Sequence, residues 1–380
     1  MTDRVLGVSC CLVLCCIVIA GLWPFHAPKN QVEWSRNREG LKFGNYGSIV
    51  SSSDFESSRP SNGPCSLEIW LQPRQINRWG TILAFYSSKR TEGLTVRQSW
   101  GDVVLLLQRP DARSPGKTVR IYVGDVFRRE KSVLVTISAG DRGTAIYSDG
   151  VLAKISRDFH LTTGDFTGRL VIGNSPVKPD SWSGELKGIA IYDRELTATE
   201  AGQHYQDWTR TVPSDSIKTV GAGALYLFDE GRGHVVHSQV KPAHDLVVPD
   251  RFFVLHQQLL QTPWEEYRPG WRYWENVGVN VLGFAPLGFV LYAYFYSTRK
   301  AKRAATITIA LGLGVSLTIE ILQAFLPTRD SGMTDLITNT LGTAVGVILY
   351  AWIGEHCWFA RSDTKIPLLS RKMKTCSSVR

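Results

Sequence analysis

The residues of this 380-residue chain that are best suited to a chemical role are polar side chains inside apolar segments. An ionisable side chain at membrane depth is costly, so it is a functional-site hypothesis by default. A carboxyl group there could act as a general acid or base, and amides could hold a polar ligand. The members of this polar set are Asn280 in segment 277–296, Glu320 and Gln323 in segment 306–326, Arg329 in the next loop, and Asp335 and Asn339 in segment 335–353.

The spacing brings members of the polar set to common helix faces and a common depth. Glu320 and Gln323 are three residues apart, and Asp335 and Asn339 are four apart, so each pair shares one face. Glu320 lies roughly 10 Å from the outer end of its segment. We therefore expect the set to gather in the outer half of a bilayer, with Arg329 as the counter-charge for Glu320 or Asp335.

Four apolar segments must position these residues. Segment 5–23 is uncharged and long enough to span a bilayer, and three more segments follow after residue 276. The region before segment 5–23 is short for a signal peptide, and no small-x-small cleavage site follows it, so we expect a retained anchor. Gly342 and Gly346, with Asn339, form a stripe typical of close helix packing.

The basic residues predict the orientation of the four helices. They flank the segments on the side expected to be cytoplasmic, whereas loop 327–334 carries only Arg329. Both termini are then cytoplasmic in the inner or plasma membrane, and the region between the first two helices lies outside. The formal charge of +9 follows from this topology, and no basic and aromatic motif predicts a nucleic-acid partner. The basic residues are Arg299, Lys300, Lys302, Arg303, Arg361, Lys365, Arg371, Lys372, Lys374 and Arg380.

The long region 30–248 has the pattern of an all-β domain. Leu67, Ile69 and Leu71 alternate with polar positions, and Asp149-Gly150 predicts a tight hairpin. Many short strands between turn residues favour a jelly-roll sandwich, with segment 197–208 as a short helix. The predicted organisation is a β-sandwich inserted into a four-helix transmembrane domain. Its parts are helix 1–24, sandwich 30–248, an interfacial aromatic linker 249–276, helices 277–353 and a basic tail 354–380.

The inserted region resembles laminin G-like, or concanavalin A-like, modules. The resemblance rests on segments 66–70 (SLEIW), 145–150 (AIYSDG) and 184–196 (GELKGIAIYDREL). It implies binding of a carbohydrate or a protein. Trp79, Trp100 and Trp182 are then candidates for stacking on sugar rings, with packing in the core or at its rim as the alternative.

The sequence of the sandwich gives less support to an enzymatic or metal-binding role than to ligand binding. The spaced acidic strand motif of related glucanases does not occur in the region, so we do not expect a glycanase. No cofactor is predicted. Calcium is left open in the sandwich through Asp141, Asp149, Asp165 and Asp229, with turn formation as the alternative for each.

The apolar segments resemble the VanZ-like membrane family. The matching residues are 280–288 (NVLGFAPLG), 320–329 (EILQAFLPTR), 335–339 (DLITN) and Gly342, and the end of the first helix, 22–25 (LWPF), also fits. The family name comes from glycopeptide (teicoplanin) resistance, so the resemblance implies a fold and a phenotype class and no particular reaction.

Three functional hypotheses follow. The first is a non-enzymatic envelope protein whose sandwich binds an extracellular glycan or envelope protein, while the polar set binds a lipid-linked or cell-wall component in the outer leaflet. This role would be linked to glycopeptide resistance or envelope polysaccharide handling. The second is an intramembrane enzyme acting on a lipid-linked glycan, with Glu320 or Asp335 as acid or base. The third is a plain membrane anchor, in which the polar set only joins helices.

Overall fold

The computed structural model describes residues 3–36, 40–55, 61–88, 93–111, 114–210, 221–240, 244–267, 269–297 and 303–362. The chain divides into two compact units. A helical unit comprises Met1–Pro24, Leu259–Phe325 and Ser331–Arg380, and a sandwich unit comprises Phe25–Gln258 and Leu326–Asp330.

The sandwich unit consists of two antiparallel sheets, which confirms the predicted fold class. The first sheet has the order β1-β2-β13-β4-β9-β10-β11, with β14 also paired to β13, and the second has the order β15-β16-β3-β12-β5-β6-β7-β8. The strands are β1 Val32–Trp34, β2 Leu41–Phe43, β3 Ile49–Ser51, β4 Cys65–Pro73, β5 Trp79–Tyr86, β6 Leu94–Ser99, β7 Asp102–Asp111, β8 Ser114–Val123, β9 Val133–Gly140, β10 Gly143–Ser148, β11 Val151–Ser156, β12 Arg169–Ile172, β13 Gly184–Tyr192, β14 Ala222–Tyr226, β15 Val235–Val236 and β16 Leu246–Val247.

The core lies between the two sheets and is built from alternate strand residues. Leu67, Ile69 and Leu71 of β4 are buried in it, as their spacing predicts. The hairpin prediction is also confirmed. β10 and β11 pair through Ser148 and Val151, and Asp149 and Gly150 have φ angles of 53° and 76°. Positive φ at both positions is what a two-residue type I′ turn requires.

The last part of the sandwich region completes both sheets. Strand β14 pairs with β13 in the first sheet, and β15 and β16 extend the second sheet beside β3. Part of the predicted linker 249–276 belongs to this unit as well, because Phe252 is fully buried and its N–H donates to the carbonyl oxygen of Pro28 at 3.0 Å. The linker is therefore not one interfacial element.

A short helix, α2 (Ala198–Thr209), covers the outer face of the first sheet near β9 and β13. Thr197 and Glu200 form a capping box at its start, which fixes where the helix begins. Arg194 pairs with Glu200 at 2.7 Å. On the inner side of α2, Trp208 packs in a second apolar cluster with residues of the sheet such as Tyr192.

A buried carboxylate joins α2 to the first sheet. Glu68 of β4 has no exposed surface, and its Oε2 accepts hydrogen bonds from Tyr192 Oη at 3.0 Å and Trp208 Nε1 at 3.1 Å. Its Oε1 pairs with His204 Nδ1 at 3.0 Å and accepts from Thr136 Oγ1 at 3.3 Å. We call these residues the Glu68 cluster. The sequence pattern did not single them out.

The helical unit contains α1 (Asp3–Leu22), the short helix α3 (Pro263–Glu266), α4 (Trp271–Ser297), α5 (Ala304–Gln323) and α6 (Met333–Ser362). Among the described residues, four helices are long and apolar enough to cross a membrane: 4–22, 271–297, 304–323 and 333–353. These are α1, α4, α5 and α6, in agreement with the four predicted segments. Helix α4 begins earlier than segment 277–296 and runs through Pro286 without interruption.

Glycines let the helices of this unit approach each other. A Cβ atom added to Gly342 or Gly346 of α6 would overlap backbone atoms of Val281 or Ala285 in α4. A Cβ atom added to Gly312 of α5 would overlap the side chain of Thr343 in α6. The small-residue stripe on α6 is therefore a packing surface, which is the role that its spacing predicts.

Candidate functional site

A groove on the outer face of the second sheet is a candidate site in the sandwich unit. It has a volume of about 270 Å³ and lies across strands β5 to β8. Its aromatic members, Trp79 and Tyr122, are 61% and 46% exposed. The described lining residues are Trp79, Arg97, Gln98, Ser99, Val104, Leu106, Thr118, Arg120 and Tyr122.

The strand register explains why these side chains share one face. Arg97 of β6 lies opposite Val104 of β7, which in turn lies opposite Tyr122 of β8. Leu106 of β7 lies opposite Arg120 of β8, one pleat further along. Since successive side chains alternate between faces, these outward residues come at every second position while their neighbours enter the core. The floor of the groove is apolar, and aromatic and basic side chains rise from it.

Arg97 is held in place before any ligand binds. Its Nη2 lies 2.9 Å and 3.1 Å from the two carboxylate oxygens of Asp180, and Thr81 Oγ1 also donates to this carboxylate. Asp180 is fixed in turn by its own N–H, which donates to Asn174 Oδ1 at 2.7 Å. Within the described parts of the chain, the buried Nε of Arg97 has no hydrogen-bond partner. The ion pair with Asp180 thus holds the guanidinium group in a fixed position.

The three candidate tryptophans occupy different environments. Trp79 lines the groove. Trp100 is 57% exposed in the turn between β6 and β7, with φ at 59°, and is not among the described lining residues. Trp182 does not meet the expectation of a surface side chain, because it is 1% exposed and its Nε1 donates to Gln98 Oε1 at 2.8 Å. Its rings fill the core and cannot stack on a sugar.

Two of the aspartates considered for calcium stabilise turns. Asp149 Oδ1 accepts the N–H of Leu134 at 2.9 Å, and Asp165 Oδ2 accepts the N–H of Thr162 at 2.9 Å. Asp141 lies between β9 and β10, and Asp229 follows β14. Over the part of the chain that the structure describes, no group of three or more His, Cys, Asp or Glu side chains has metal-binding geometry. Calcium binding stays a prediction.

In the helical unit, Glu320 and Gln323 satisfy backbone groups at the ends of other helices. Glu320 is 1% exposed, and its Oε2 accepts the N–H of Gly332, next to the start of α6, at 2.8 Å. Ser331 also bonds to this carboxylate. Gln323 Nε2 donates to the carbonyl oxygen of Gly21, in the last turn of α1, at 2.8 Å. Unsatisfied backbone groups are costly in an apolar medium, so both contacts stabilise helix ends.

The other amides of the polar set connect neighbouring helices. Asn280 of α4 donates from Nδ2 to Asp335 Oδ1 of α6 at 2.7 Å. One turn further along α6, Asn339 Nδ2 donates to Ser316 Oγ of α5 at 3.0 Å. Asn339 is 6% exposed, and its Oδ1 has no hydrogen-bond partner among the residues that the structure describes. The geometry matches interhelical hydrogen bonding, the third of the roles expected for the set.

Arg329 belongs to the sandwich unit, within Leu326–Asp330. Gln257 Nε2 donates to the backbone carbonyl oxygens of Leu326 and Arg329, at 2.6 Å and 2.8 Å, and this holds the loop. The pairing of Arg329 with Glu320 or Asp335 stays a prediction. Of the basic residues used for the orientation, Arg299, Lys300, Lys302 and all those of the tail after Arg361 lie outside the described residues, and the side chain of Arg361 is not described.

The sequence pattern missed Arg97, Arg120, Tyr122 and Asp180. For the first three, period-two alternation along β6 and β8 was an available signal, because it places them on the same face as Val104 and Leu106. For Asp180 there was none, since a loop aspartate meets Arg97 only when the two segments fold together.

Two family models match separate parts of the chain. The model described as VanZ/LLP1 matches residues 226–354, and the model described as the concanavalin A-like lectin/glucanases superfamily matches residues 43–202. Helix α1 lies before both matches. No curated protein matched the chain.

Solved structures similar to this chain include a heptameric SAP-like pentraxin from Limulus polyphemus, at 17% identity and a TM-score of 0.33, covering 45% of this chain and 78% of that one. The binding domain of botulinum neurotoxin DC, in complex with SialylT, has 15% identity and a TM-score of 0.36, covering 48% of this chain and 46% of that one. The binding domain of botulinum neurotoxin serotype D has 16% identity and a TM-score of 0.32, with 46% of each chain covered. The chain spans less than half the length of these neurotoxin chains.

The family matches agree with the two units of the structure. A concanavalin A-like match falls on the β-sandwich, and the VanZ-like match includes three of the four apolar helices. The chain is therefore a membrane protein that combines a VanZ-like segment with a laminin G-like, concanavalin A-like β-sandwich.

Proposed function

We propose that this protein is a membrane-anchored glycan-binding protein of the cell envelope and that the groove across β5 to β8 holds the sugar. The observation that carries the proposal is the exposure of Trp79 and Tyr122 in one groove with an apolar floor of Val104 and Leu106. Large aromatic rings that stay in water cost free energy unless a partner covers them.

The groove has the chemistry of a sugar site. The flat faces of Trp79 and Tyr122 suit the C–H faces of sugar rings, and an aromatic ring carries a polar edge as well as an apolar face. Arg97, Ser99 and Thr118 supply donors and acceptors around the floor. A few polar groups in an otherwise apolar concavity are typical of ligand pockets, whose volumes are about 300–1,000 Å³.

The four apolar helices anchor the sandwich in this proposal. The contacts of Glu320 and Gln323 with backbone groups, and of Asn280 and Asn339 with other helices, support a structural role for most of the polar set. Binding of a lipid-linked or cell-wall component by this set stays a prediction, as do the intramembrane enzyme and the link to glycopeptide resistance. The predicted topology places the sandwich outside the cell, where envelope glycans are found.

The test is a glycan-array measurement with the full chain in lipid nanodiscs. We expect saturable binding to at least one class of glycan and its loss in Trp79→Ala, because the largest stacking surface of the groove is removed. Stacking of a nucleic-acid base on one aromatic ring contributes on the order of 1–3 kcal/mol, and with the same order for a sugar ring the affinity should fall about tenfold or more.

Trp100→Ala is the matched control. It removes an equally large and equally exposed indole from a turn that does not line the groove. Equal losses in the two variants would place the sugar outside the groove, and a complete lack of glycan binding by the natural protein would refute the proposal.

A further inference from the structure

The charges around the groove identify the class of glycan, and this inference rests on the proposed function. Among the described lining residues, the groove contains two guanidinium groups, those of Arg97 and Arg120, and no carboxylate. Two cations beside an apolar floor attract anions more than neutral sugars, because a carboxylate forms charge-assisted hydrogen bonds with a guanidinium group and a neutral hydroxyl forms only weaker ones.

Arg97 and Arg120 differ in whether an acidic side chain of the protein balances their positive charge. Arg97 has Asp180 as its partner, so part of its charge is balanced inside the protein. Arg120 is exposed, and its Nη1 donates a long hydrogen bond, of 3.4 Å, to Tyr122 Oη. No described carboxylate forms an ion pair with it. Arg120 is therefore the cation of the groove whose charge an incoming ligand can balance.

A third cation lies beside Tyr122, which lines the groove. Lys154 of β11 donates from Nζ to the backbone carbonyl oxygen of Tyr122 at 2.8 Å. One more carboxylate borders the groove, because Asp102 of β7 lies opposite Ser99 on the same face as Val104, and its Oδ1 accepts the N–H of Asp125 at 3.1 Å. With Asp180 and Asp102 set against Arg97, Arg120 and Lys154, the groove and its border keep one positive charge.

The strand register sets the spacing of the two arginines. Arg97 lies on β6 and Arg120 on β8, two strands apart and offset by one pleat. With strands about 4.8 Å apart and about 3.4 Å per residue, their Cα atoms are separated by roughly 12 Å. Val104 and Leu106 lie between them on β7. A sugar ring on this floor thus has a guanidinium group at either side.

We infer that the groove selects an anionic glycan, a sugar chain bearing carboxylate, sulfate or phosphate groups, and that Arg120 is the residue that binds the charge. The planar fork of a guanidinium group matches these anions through paired hydrogen bonds. One sugar ring of the chain stacks on Tyr122, next to Arg120, so that its anionic substituent reaches the guanidinium group, and another ring of the chain stacks on Trp79. A neutral glycan leaves Arg120 to water and forgoes the charge-assisted hydrogen bonds that an anionic glycan gains.

The experiment compares two glycans that differ only in charge: a polyuronate and the same polymer after reduction of its carboxyl groups. Binding is measured on the full chain in nanodiscs, at low and at raised salt. We expect the polyuronate to bind at least tenfold more tightly than its reduced form, and added salt to reduce this difference through screening. Arg120→Gln should lose about tenfold in affinity for the polyuronate, the loss expected for one charged hydrogen bond.

Arg142→Gln is the matched control. It makes the same change of charge at an exposed residue in the turn between β9 and β10 of the first sheet. It should leave the affinity unchanged, and the reduced polymer should bind Arg120→Gln and the natural protein alike. Thermal unfolding of each variant shows whether it is folded.

The outcomes separate this inference from the proposed function. Equal binding of the charged and the reduced polymer, lost in Trp79→Ala, overturns the anionic selectivity and keeps the glycan site. Equal losses in Arg120→Gln and Arg142→Gln assign the effect to general charge and also overturn the inference. Competition by poly-glutamate as effective as that by the polyuronate points to an acidic peptide and overturns the glycan class. Absence of any glycan binding refutes the proposed function itself.

Discussion

Replacing Glu68 by Gln tests the hydrogen-bond cluster that fastens α2 to the first sheet. The carboxylate accepts from Tyr192 and Trp208 at Oε2, and it contacts His204 and Thr136 at Oε1. An indole N–H can only donate, so the amide oxygen of Gln must face Trp208, and its NH2 group must face His204. His204 then has to be neutral and accept at Nδ1.

The loss of stability follows from the hydrogen bonds that change from a charged acceptor to a neutral one. A hydrogen bond to a charged group contributes about 1.5–3 kcal/mol and a neutral one about 0.5–1.5 kcal/mol, so each of the bonds from Tyr192, Trp208 and His204 loses on the order of 1 kcal/mol. The expected destabilisation of α2 is about 3 kcal/mol, near the lower end of the values for breaking a buried ion pair. Because α2 lies on the outside of the sheet, amide exchange through local opening of α2 should report this loss of stability.

The assay is amide hydrogen exchange of peptides that span Ala198–Thr209, measured by mass spectrometry on the full chain. A loss of about 3 kcal/mol corresponds to exchange that is roughly 100-fold faster. Glu33→Gln is the matched control, since it removes the same charge from an exposed position of β1 in the same sheet. A change below about 1 kcal/mol in the Glu68 variant would refute the assigned role of the cluster.

The same cluster predicts a dependence on pH. Burial by itself disfavours the charged form of His204, but the hydrogen bond and the negative charge of Glu68 outweigh it, so the pKa of His204 is raised above 6.5. Arg194 opposes this rise in pKa and Glu200 adds to it. The stabilisation is therefore fully present below about pH 6.5 and is lost as the pH rises through the raised pKa. After correction for the intrinsic exchange rate, the protection of the α2 amides from hydrogen exchange should decrease as the pH rises through this pKa in the natural protein. In Glu68→Gln it should not change with pH.

Two further predictions concern the helical unit. Gly342→Val places a side chain against the backbone of Val281, so the yield of folded protein in detergent should drop strongly. Gly314→Val, at a position with open space, is the control and should keep the yield of the natural protein. Equal yields of the two variants would contradict the packing role of Gly342. Glu320→Gln retains an oxygen that can accept from Gly332 and should keep most of the thermal stability, whereas Glu320→Leu leaves a buried N–H without a partner and should lose about 1–3 kcal/mol. If Glu320→Gln abolished glycan-dependent or envelope activity at full stability, the carboxylate would have a chemical role beyond joining helices.

The elements of both units could be predicted because their signals are local. The alternation of Leu67, Ile69 and Leu71 follows from the two-residue repeat of a strand, and the turn at Asp149-Gly150 follows from residues that tolerate positive φ. The transmembrane helices follow from the length of uninterrupted apolar sequence, which must match the thickness of a bilayer. The common face of Glu320 and Gln323 follows from helical spacing alone.

The partners of these side chains could not be predicted, since they come from distant parts of the chain. Glu320 bonds to the N–H of Gly332, and Gln323 bonds to the carbonyl oxygen of Gly21. These two partners are backbone groups at helix ends, and the residue type at such a position does not indicate which side chain will bind to it. Whether a polar residue in an apolar helix meets a ligand or a neighbouring helix depends on which helix ends are brought beside it.

The order of elements, the two kinds of domain and the set of aromatic and charged residues available for function follow from the amino-acid sequence alone. Which of these residues are accessible depends on how the chain folds. Trp79 and Trp182 are both tryptophans near strand ends, yet one is 61% exposed in the groove and the other is 1% exposed in the core. Glu68 lies on the polar side of an alternating strand, where α2 covers it. The physical reason is that period and propensity act over a few neighbouring residues, whereas burial depends on the face that a distant segment covers when the sheets close.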